Sequence, residues 1–591
     1  MSDLWPRIEP LLAQVEKPAR YIGMELGSVA LDREPADRSQ AAFLLIYPDT
    51  YEIGLPNQGL QILYELINER GDARAERSYA PWLDMERAMR AANVPLFSVD
   101  THRPAPDFDV LAFNLSAELV YTNVLNLVDL AGVPVRNEDR APAHPLVIAG
   151  GHCTYNPEPL AEYVDAFVIG DGEEVIGEIV EIVGAWKRGG RASREAVLRE
   201  LATVPGVYVP SLYDVEYDGA SLRAVTPRFA DVPAVIDKRT VADLAQWPYP
   251  KHQLVPLVEV VHDRLNVEIF RGCTRGCRFC QAGMITRPVR ERPLDQVRTM
   301  VAEGLRRTGY DEVALTSLSS ADFSGIDDLV RGLVTDQEGT GGVSVSLPSL
   351  RVDAFSVGVA TEIQKVRRTG LTFAPEAGTW RLRQVINKLI SEEDLYNAVG
   401  AAYSQGWRRV KLYFLTGLPT EMDDDTLGIA ALARNVVDIG REYTKQASCT
   451  VSVGGFVPKP HTPFQWFGQN GTDELTRKIT LLRGALKGTR AQLKWHDPAA
   501  TFAEGIASRG DRRIGRVIER VWRAGGTFQE WSEQFSLDLW LDALRAEGLD
   551  PDWYVTRHRT CEELLPWQHI AAGLHPDFLW SDWQSALAEH G

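Results

Sequence analysis

The sequence predicts an α/β protein of two successive units followed by a helical C-terminal region. Two observations carry this. Short apolar runs alternate with helical stretches over 41–186 and again over 257–472, as in parallel sheets whose strands are buried on both faces. From 473 to 591 the pattern turns helical and Trp-rich.

Residues 1–40 read as a leader. The first unit starts with the apolar run Ala41–Tyr47, and a helix is expected over 57–70. Strands follow at Val94–Val99 and Val110–Leu115, then a helix over 120–131. A strand at Pro145–Ala149 closes on Gly150-Gly151, and a shorter one at Ala166–Gly170 precedes a helix over 174–186. This order indicates a doubly wound sheet. Segment 187–256, with Gly189-Gly190 and several prolines, reads as a bridge. The second unit offers six strands, at Val267–Arg271, Glu312–Ser317, Val343–Pro348, Gly370–Ala374, Arg409–Phe414 and Ser448–Phe456. Each is followed by a helix, which suggests a partial (β/α)6 barrel.

The chain has 591 residues, 45% hydrophobic and 24% charged, a balance that excludes disordered, collagenous and coiled-coil classes for its bulk. No apolar run approaches the roughly 20 residues that span a bilayer, and the N-terminus lacks a signal-peptide pattern, so a cytoplasmic protein is expected. With 63 Lys+Arg against 81 Asp+Glu the formal charge is −18, which argues against a broad nucleic-acid-binding face. Six cysteines are too few for a disulfide scaffold.

Three of the six stand together in Arg271-Gly-Cys273-Thr-Arg-Gly-Cys277-Arg-Phe-Cys280, directly after the first strand of the second unit. Three thiolates at C-x3-C-x2-C can hold three irons of a 4Fe-4S cluster and leave the fourth iron open. A structural zinc site would want a fourth ligand, and none is evident nearby. The open iron can chelate the amino and carboxylate groups of S-adenosylmethionine. Phe279 is then placed to lie against the adenine, and Gly272 and Gly276 let the loop pack tightly.

This loop resembles the radical S-adenosylmethionine superfamily. Ala314-Leu-Thr-Ser317-Leu-Ser319-Ser320 stands where relatives carry a Gly-Gly-Glu-like turn, so Ser317 and Ser319 would contact the methionine moiety. Leu347-Pro-Ser-Leu-Arg351-Val-Asp353 stands where relatives place polar and basic residues near the methionine carboxylate, making Arg351 a candidate, with a structural ion pair as the alternative. Phe373-Ala-Pro375-Glu376-Ala-Gly378 resembles the element whose acid contacts the ribose. Lys411-Leu-Tyr-Phe-Leu-Thr416-Gly417-Leu-Pro419-Thr-Glu421 and Phe456-Val-Pro458-Lys-Pro460-His461 resemble the fifth- and sixth-strand signatures, which points to Gly417 and Pro458. The resemblance implies an electron donor such as flavodoxin or ferredoxin.

The first unit resembles the cobalamin-binding domain found in front of many radical enzymes. Where such domains carry Asp-x-His-x-x-Gly, this chain reads Asp49-Thr-Tyr51-Glu-Ile-Gly54, with a phenol in place of the cobalt-ligating imidazole. Ser116, Gly150 and Gly151 match later landmarks, and His152-Cys153 stands at the sheet mouth, either near a cofactor or packed in a turn. The domain would therefore bind cobalamin without that histidine, or keep the fold without a corrinoid. Methylthiotransferases carry three more N-terminal cysteines and a basic C-terminal module. This chain has Cys153 alone before the triad, expects Cys449 and Cys561 to be buried thiols, and carries ten Lys+Arg against sixteen Asp+Glu from Lys494 onward. Arg509, Arg512 and Arg513 would line a substrate anion site or begin a solvated helix.

The reading is a radical enzyme that methylates an unactivated carbon with cobalamin. The alternatives are a corrinoid-free radical modification of RNA or protein, and a non-enzymatic cluster-bearing sensor or scaffold.

Overall fold

The computed structural model describes residues 4–28, 39–335, 343–347 and 371–588. Six strands form the first sheet: β1 (Ala41–Tyr47), β2 (Ala73–Tyr79), β3 (Val110–Asn114), β4 (Leu146–Gly150), β5 (Ala166–Val168) and β6 (Val207–Tyr208). Their order is β2-β1-β3-β4-β5-β6, parallel except that β6 runs against β5. The chain steps from β1 outward in both directions, so the β1/β3 boundary is the switch point where such sheets bind ligands beyond their carboxyl ends. Helices Gln58–Asn68 and Val175–Arg188 are among those that cover the sheet.

One strand departs from expectation. The edge strand is Ala73–Tyr79, not Val94–Val99. Its sequence, ARAERSY, shows no apolar pattern, yet all seven residues are buried. Arg77 pairs with Glu25 at 2.8 Å and Asp100 at 2.7 Å, and Thr101 donates to Glu76 at 2.6 Å. Ion pairing hides the charges that propensity reads as surface. Residues 94–99 run irregularly beside this edge, and Val99 N donates to Arg77 O at 2.8 Å.

The second unit shows two parallel sheets. Leu265–Glu268, Glu312–Thr316 and Ser344–Ser346 form one. Leu371–Glu376, Arg409–Thr416, Ser448–Gly455 and Ala491–Trp495 form the other. The last of these strands lies in a stretch expected to be helical. It is short and polar (AQLKW) because it closes the exposed sheet edge. The bridge contributes β6 and a hairpin of Tyr213–Asp218 with Ser221–Pro227.

Helices Pro498–Ser508, Ile514–Arg523 and Leu537–Ala546 share one apolar core with β1–β5, through Ile506, Val517, Ile518 and Trp540. The three arginines read as either a substrate anion site or a solvated helix start are spent internally. Arg509 is fully buried and donates to Tyr554 O at 2.8 Å, Arg512 pairs with Glu158 at 2.9 Å, and Arg513 pairs with Asp511 at 2.6 Å. Cys153 and Cys449 are buried, but Cys561 is exposed. Among the described residues no helix is long and apolar enough to cross a membrane.

Candidate functional site

A cavity of about 510 Å³ opens at the carboxyl ends of the first sheet. Its inner walls are aliphatic, with Leu45, Val110, Ile148 and Ile179 among them. Asn57, Gln58 and Asn114 supply polar groups, and Arg271, Gly272, Thr316 and Ser317 of the second unit close it. Cavity size and mixed lining suit a large organic ligand. Ser116, Gly150 and Gly151 line it as well. Gly151 holds φ +114°, and a Cβ there would stand 2.5 Å from Leu115 O, so no other residue fits at the rim.

Tyr51 corrects the expectation drawn from the Asp-x-His frame. It does not line this cavity. Its ring is buried edge-on against Tyr79 at 5.3 Å, and its hydroxyl accepts from Leu257 N at 3.2 Å. At this position the tyrosine is part of the core. His152, in contrast, does line the cavity, and desolvation lowers its pKa, so the imidazole is neutral. Its neighbour Cys153 is packed in the core.

The cysteine loop follows strand Leu265–Glu268 and is pinned from several sides. Gly272 holds φ +95°, and a Cβ there would meet Pro288 O at 2.4 Å. Asn387 donates to Gly276 O at 2.9 Å, Arg278 to Val385 O at 2.9 Å, and Arg287 to Cys273 O at 3.3 Å. Cys280 caps helix Gln281–Ile285 by accepting from Gly283 N at 3.3 Å. Burial, with a smaller push from its two sister thiols, raises its pKa to about 11. A Cβ placed on Gly283 would meet Cys280 Sγ at 3.4 Å and Cys273 Cβ at 3.9 Å, so these side chains share one locality, and all three cysteines are partly exposed and outside any disulfide. Among the described residues no three His, Cys, Asp or Glu side chains could hold a metal ion. A cluster places each thiolate on a different iron and so needs no single-ion cage. The three-thiolate donor set fits an iron–sulfur cluster. Bound metal would deprotonate the Cys280 thiol that burial keeps neutral.

Around the loop the other candidates scatter by depth. Phe279 packs with the apolar group of Ala377, Leu382, Leu418 and Phe456 at the barrel mouth. Ser317 lines the shared cavity and hydrogen-bonds Ser320 at 2.9 Å. Ser319 is 2% exposed, and its hydroxyl has no partner, an orphan that a polar ligand group would satisfy. Glu376 ends its strand at φ +68°, with Lys388 at 3.6 Å; desolvation raises its pKa and Lys388 opposes this. Gly417 holds φ +86° in a turn folded onto Glu421, which accepts from Leu418 N at 3.1 Å and from Thr426 at 2.9 Å. Pro458 is buried. Its neighbour Lys459 bridges Glu118 at 2.7 Å and Glu504 at 2.8 Å, tying barrel, first unit and C-terminal helices together. Arg351 lies outside the described residues.

Sequence reasoning missed the clamp between the two units. Arg271, two residues before Cys273, pairs with Glu173 at 2.6 Å, Glu268 at 2.9 Å and Asp171 at 3.0 Å. Although burial opposes it, Arg271 and Arg290 hold Asp171 below the usual carboxylate range. Lys238 lines the same cavity and donates to Ile285 O at 2.7 Å; burial pushes its pKa down to about 8. The acidic string at 171–173 was visible as a motif, but its basic partners lie about a hundred residues away.

A cavity at the switch point of a doubly wound sheet, facing a three-cysteine loop on a parallel α/β unit, defines a two-part radical enzyme architecture. Residues 59–210 match the family described as Radical SAM proteins, N-terminal, and residues 267–433 match the Radical SAM superfamily. The chain is a radical S-adenosylmethionine enzyme of that superfamily. An uncharacterised protein of Methanocaldococcus jannaschii is 28% identical over 509 residues, which is 85% of this chain and 97% of that protein. The structure of the radical S-adenosylmethionine methyltransferase TsrM from Kitasatospora setae, with cobalamin and a [4Fe-4S] cluster bound, shares the fold. It is 14% identical, with a TM-score of 0.52, over 86% of this chain and 100% of that one.

Proposed function

We propose that this enzyme binds a corrinoid in the cavity of the first unit and methylates an unactivated carbon. The observation that carries the reading is the shared lining: the cavity at the ends of β1, β3 and β4 is closed by Arg271 and Gly272, which lead directly into Cys273. Cys273, Cys277 and Cys280 would hold a [4Fe-4S] cluster. When bound, the cluster supplies the electron that cleaves S-adenosylmethionine to a 5′-deoxyadenosyl radical, and the corrinoid supplies a transferable methyl group.

This chain's own residues do the positioning. Ser317 and Ser319 offer hydroxyls, and Glu376 offers an acceptor for ribose hydroxyls. Gly150 and Gly151 let backbone approach a flat ligand. His152 presents a neutral imidazole to the cavity. The Arg271 clamp fixes the spacing of the two units, which chemistry shared across their boundary requires. An external one-electron donor such as flavodoxin or ferredoxin would reduce the cluster.

Anaerobic reconstitution followed by dithionite tests the radical step. Release of 5′-deoxyadenosine is expected, and its loss in Cys273→Ala, Cys277→Ala and Cys280→Ala variants. Cleavage that survives these substitutions overturns the cysteine assignment. Corrinoid absorption in the purified protein tests the methylation reading, and its absence after growth with cobalamin favours a corrinoid-free reaction. A His152→Ala change that shifts the corrinoid spectrum would place that imidazole beside the metal.

A further inference from the structure

The strands Arg409–Thr416, Ser448–Gly455 and Ala491–Trp495 turn one face to their helices, where Val410, Leu412, Phe414, Val451 and Val453 are buried. Side chains alternate along a strand. The opposite face therefore carries Lys411, Tyr413, Thr450, Ser452, Gln492 and Lys494. Register sets Lys411 beside Thr450 and Gln492, and Tyr413 beside Ser452 and Lys494. In a closed barrel that face would be filled with branched apolar residues. Here Tyr413 is 41% exposed, and Gln492 and Lys494 are exposed. Tyr413 directly precedes Phe414, the residue opposite Glu376 in the neighbouring strand, so the polar face runs up to the proposed cofactor site.

Its chemistry is one-sided. Lys411 Nζ donates to the Tyr413 hydroxyl at 2.6 Å and lies 4.4 Å from the ring centre. The phenol oxygen is thus an acceptor for Lys411, and its own hydrogen is left to donate outward. Among the described residues neither Lys411 nor Lys494 has a carboxylate partner, although the chain carries an excess of 18 acids. Two ammonium groups, a phenol, an amide and two hydroxyls share this face, with no carboxylate paired to either lysine among the described residues. An uncompensated basic surface in an acidic protein concentrates anions locally.

We propose that this face binds a small substrate through an anionic group, a carboxylate or a phosphate, and holds it beside the site where the radical forms. The proposal rests on the reading of this unit as the seat of radical chemistry. Lys411 and Lys494 would supply charge-assisted hydrogen bonds, and Tyr413 the directional one.

Tripolyphosphate and citrate, titrated calorimetrically into the reconstituted full-length enzyme at constant ionic strength, test it. Binding of at least one is expected; the tighter probe identifies the group as phosphoryl or carboxylate. Lys411→Met and Lys494→Met are each expected to weaken binding about tenfold or more. Arg545→Met, which removes an exposed charge from the C-terminal helices, is expected to leave it unchanged. Circular dichroism checks each variant, and should Lys411→Met fail to fold, the exposed Lys494→Met decides. Binding by neither probe, or equal binding by wild type and folded lysine variants, overturns the proposal. Release of 5′-deoxyadenosine is measured on the same wild-type preparation. Normal release without anion binding overturns this inference alone, whereas absent release overturns the radical reading beneath it.

Discussion

At the end of strand Leu371–Glu376 a glutamate holds a left-handed backbone, φ +68°, where a non-glycine side chain is uncommon. Strain of this kind persists where surrounding structure over-determines it, often at functional sites. Burial raises the pKa of Glu376, partly offset by Lys388. The ionised acceptor is therefore lost at a higher pH than for an ordinary glutamate near 4.3 as the solution is acidified. Glu376→Gln is expected to raise KM for S-adenosylmethionine about tenfold at unchanged iron content, since a charge-assisted bond becomes a neutral one. In wild type the same KM should climb on acidification, and this pH dependence should flatten in the variant. At this scale the sequence was readable where chemistry is local. The cysteine spacing needs one loop and no distant partner. Tyr51 was misread because its partners, Tyr79 and Leu257, come from other elements.

Among elements, β2 shows how burial can contradict pattern. Arg77 is fully buried between Glu25 and Asp100. Arg77→Met would leave two carboxylates buried without their cation, at a cost of about 3–5 kcal/mol, readable as a lower urea midpoint. The loop after strand Ser448–Gly455 carries a second device. His461 Nε2 stands 2.9 Å from Tyr155 O, joining barrel to first unit, and burial pushes its pKa down to about 4. A depressed folded pKa means the unfolded chain binds the proton first. Stability is thus complete above about pH 6.5 and is lost as pH falls towards 4, by on the order of 3 kcal/mol at most. Urea titrations between those limits should show that slope, and His461→Gln should reduce it. Alternating apolar runs made β1, β3 and β4 legible. Ala491–Trp495 was not, because an edge strand of five residues carries little apolar signal.

Over the whole molecule, the helices between 498 and 546 belong to the first unit, whereas the last helix, Pro576–Ala588, packs through Leu579, Trp583 and Ala586 against Phe456 and Phe464 of the second. Ile506, Ile514, Val517, Ile518, Val521 and Trp540 are buried in the core of β1–β5. Polar contacts seal the junction: Phe528 N donates to Asn123 at 2.7 Å, Trp531 to Asp49 at 3.0 Å, and Tyr163 to Gly515 O at 2.9 Å. At roughly 1.5–3 kcal/mol per buried side chain, six such residues supply on the order of 10 kcal/mol, as much as a typical domain's entire stability. A chain ending at Trp495 is therefore expected to be insoluble or to lose its cooperative thermal transition, although every cysteine of the triad remains. Scanning calorimetry of the truncated and full-length proteins checks this.

The sequence by itself determined the class of fold and singled out the loop proposed to hold the cluster, because periodicity and cysteine spacing are local. It also carried the resemblance that later identified the superfamily. Tertiary structure decided what depends on distant partners. It turned the arginines at 509–513 inward, onto carbonyls and carboxylates of the protein itself, and it joined Arg271 to Asp171 and Glu173 across the unit boundary. It also aligned Lys411, Tyr413 and Lys494 on one open face. Ion pairs and cavities are made by residues far apart in the chain, and no window of sequence records which charges will meet.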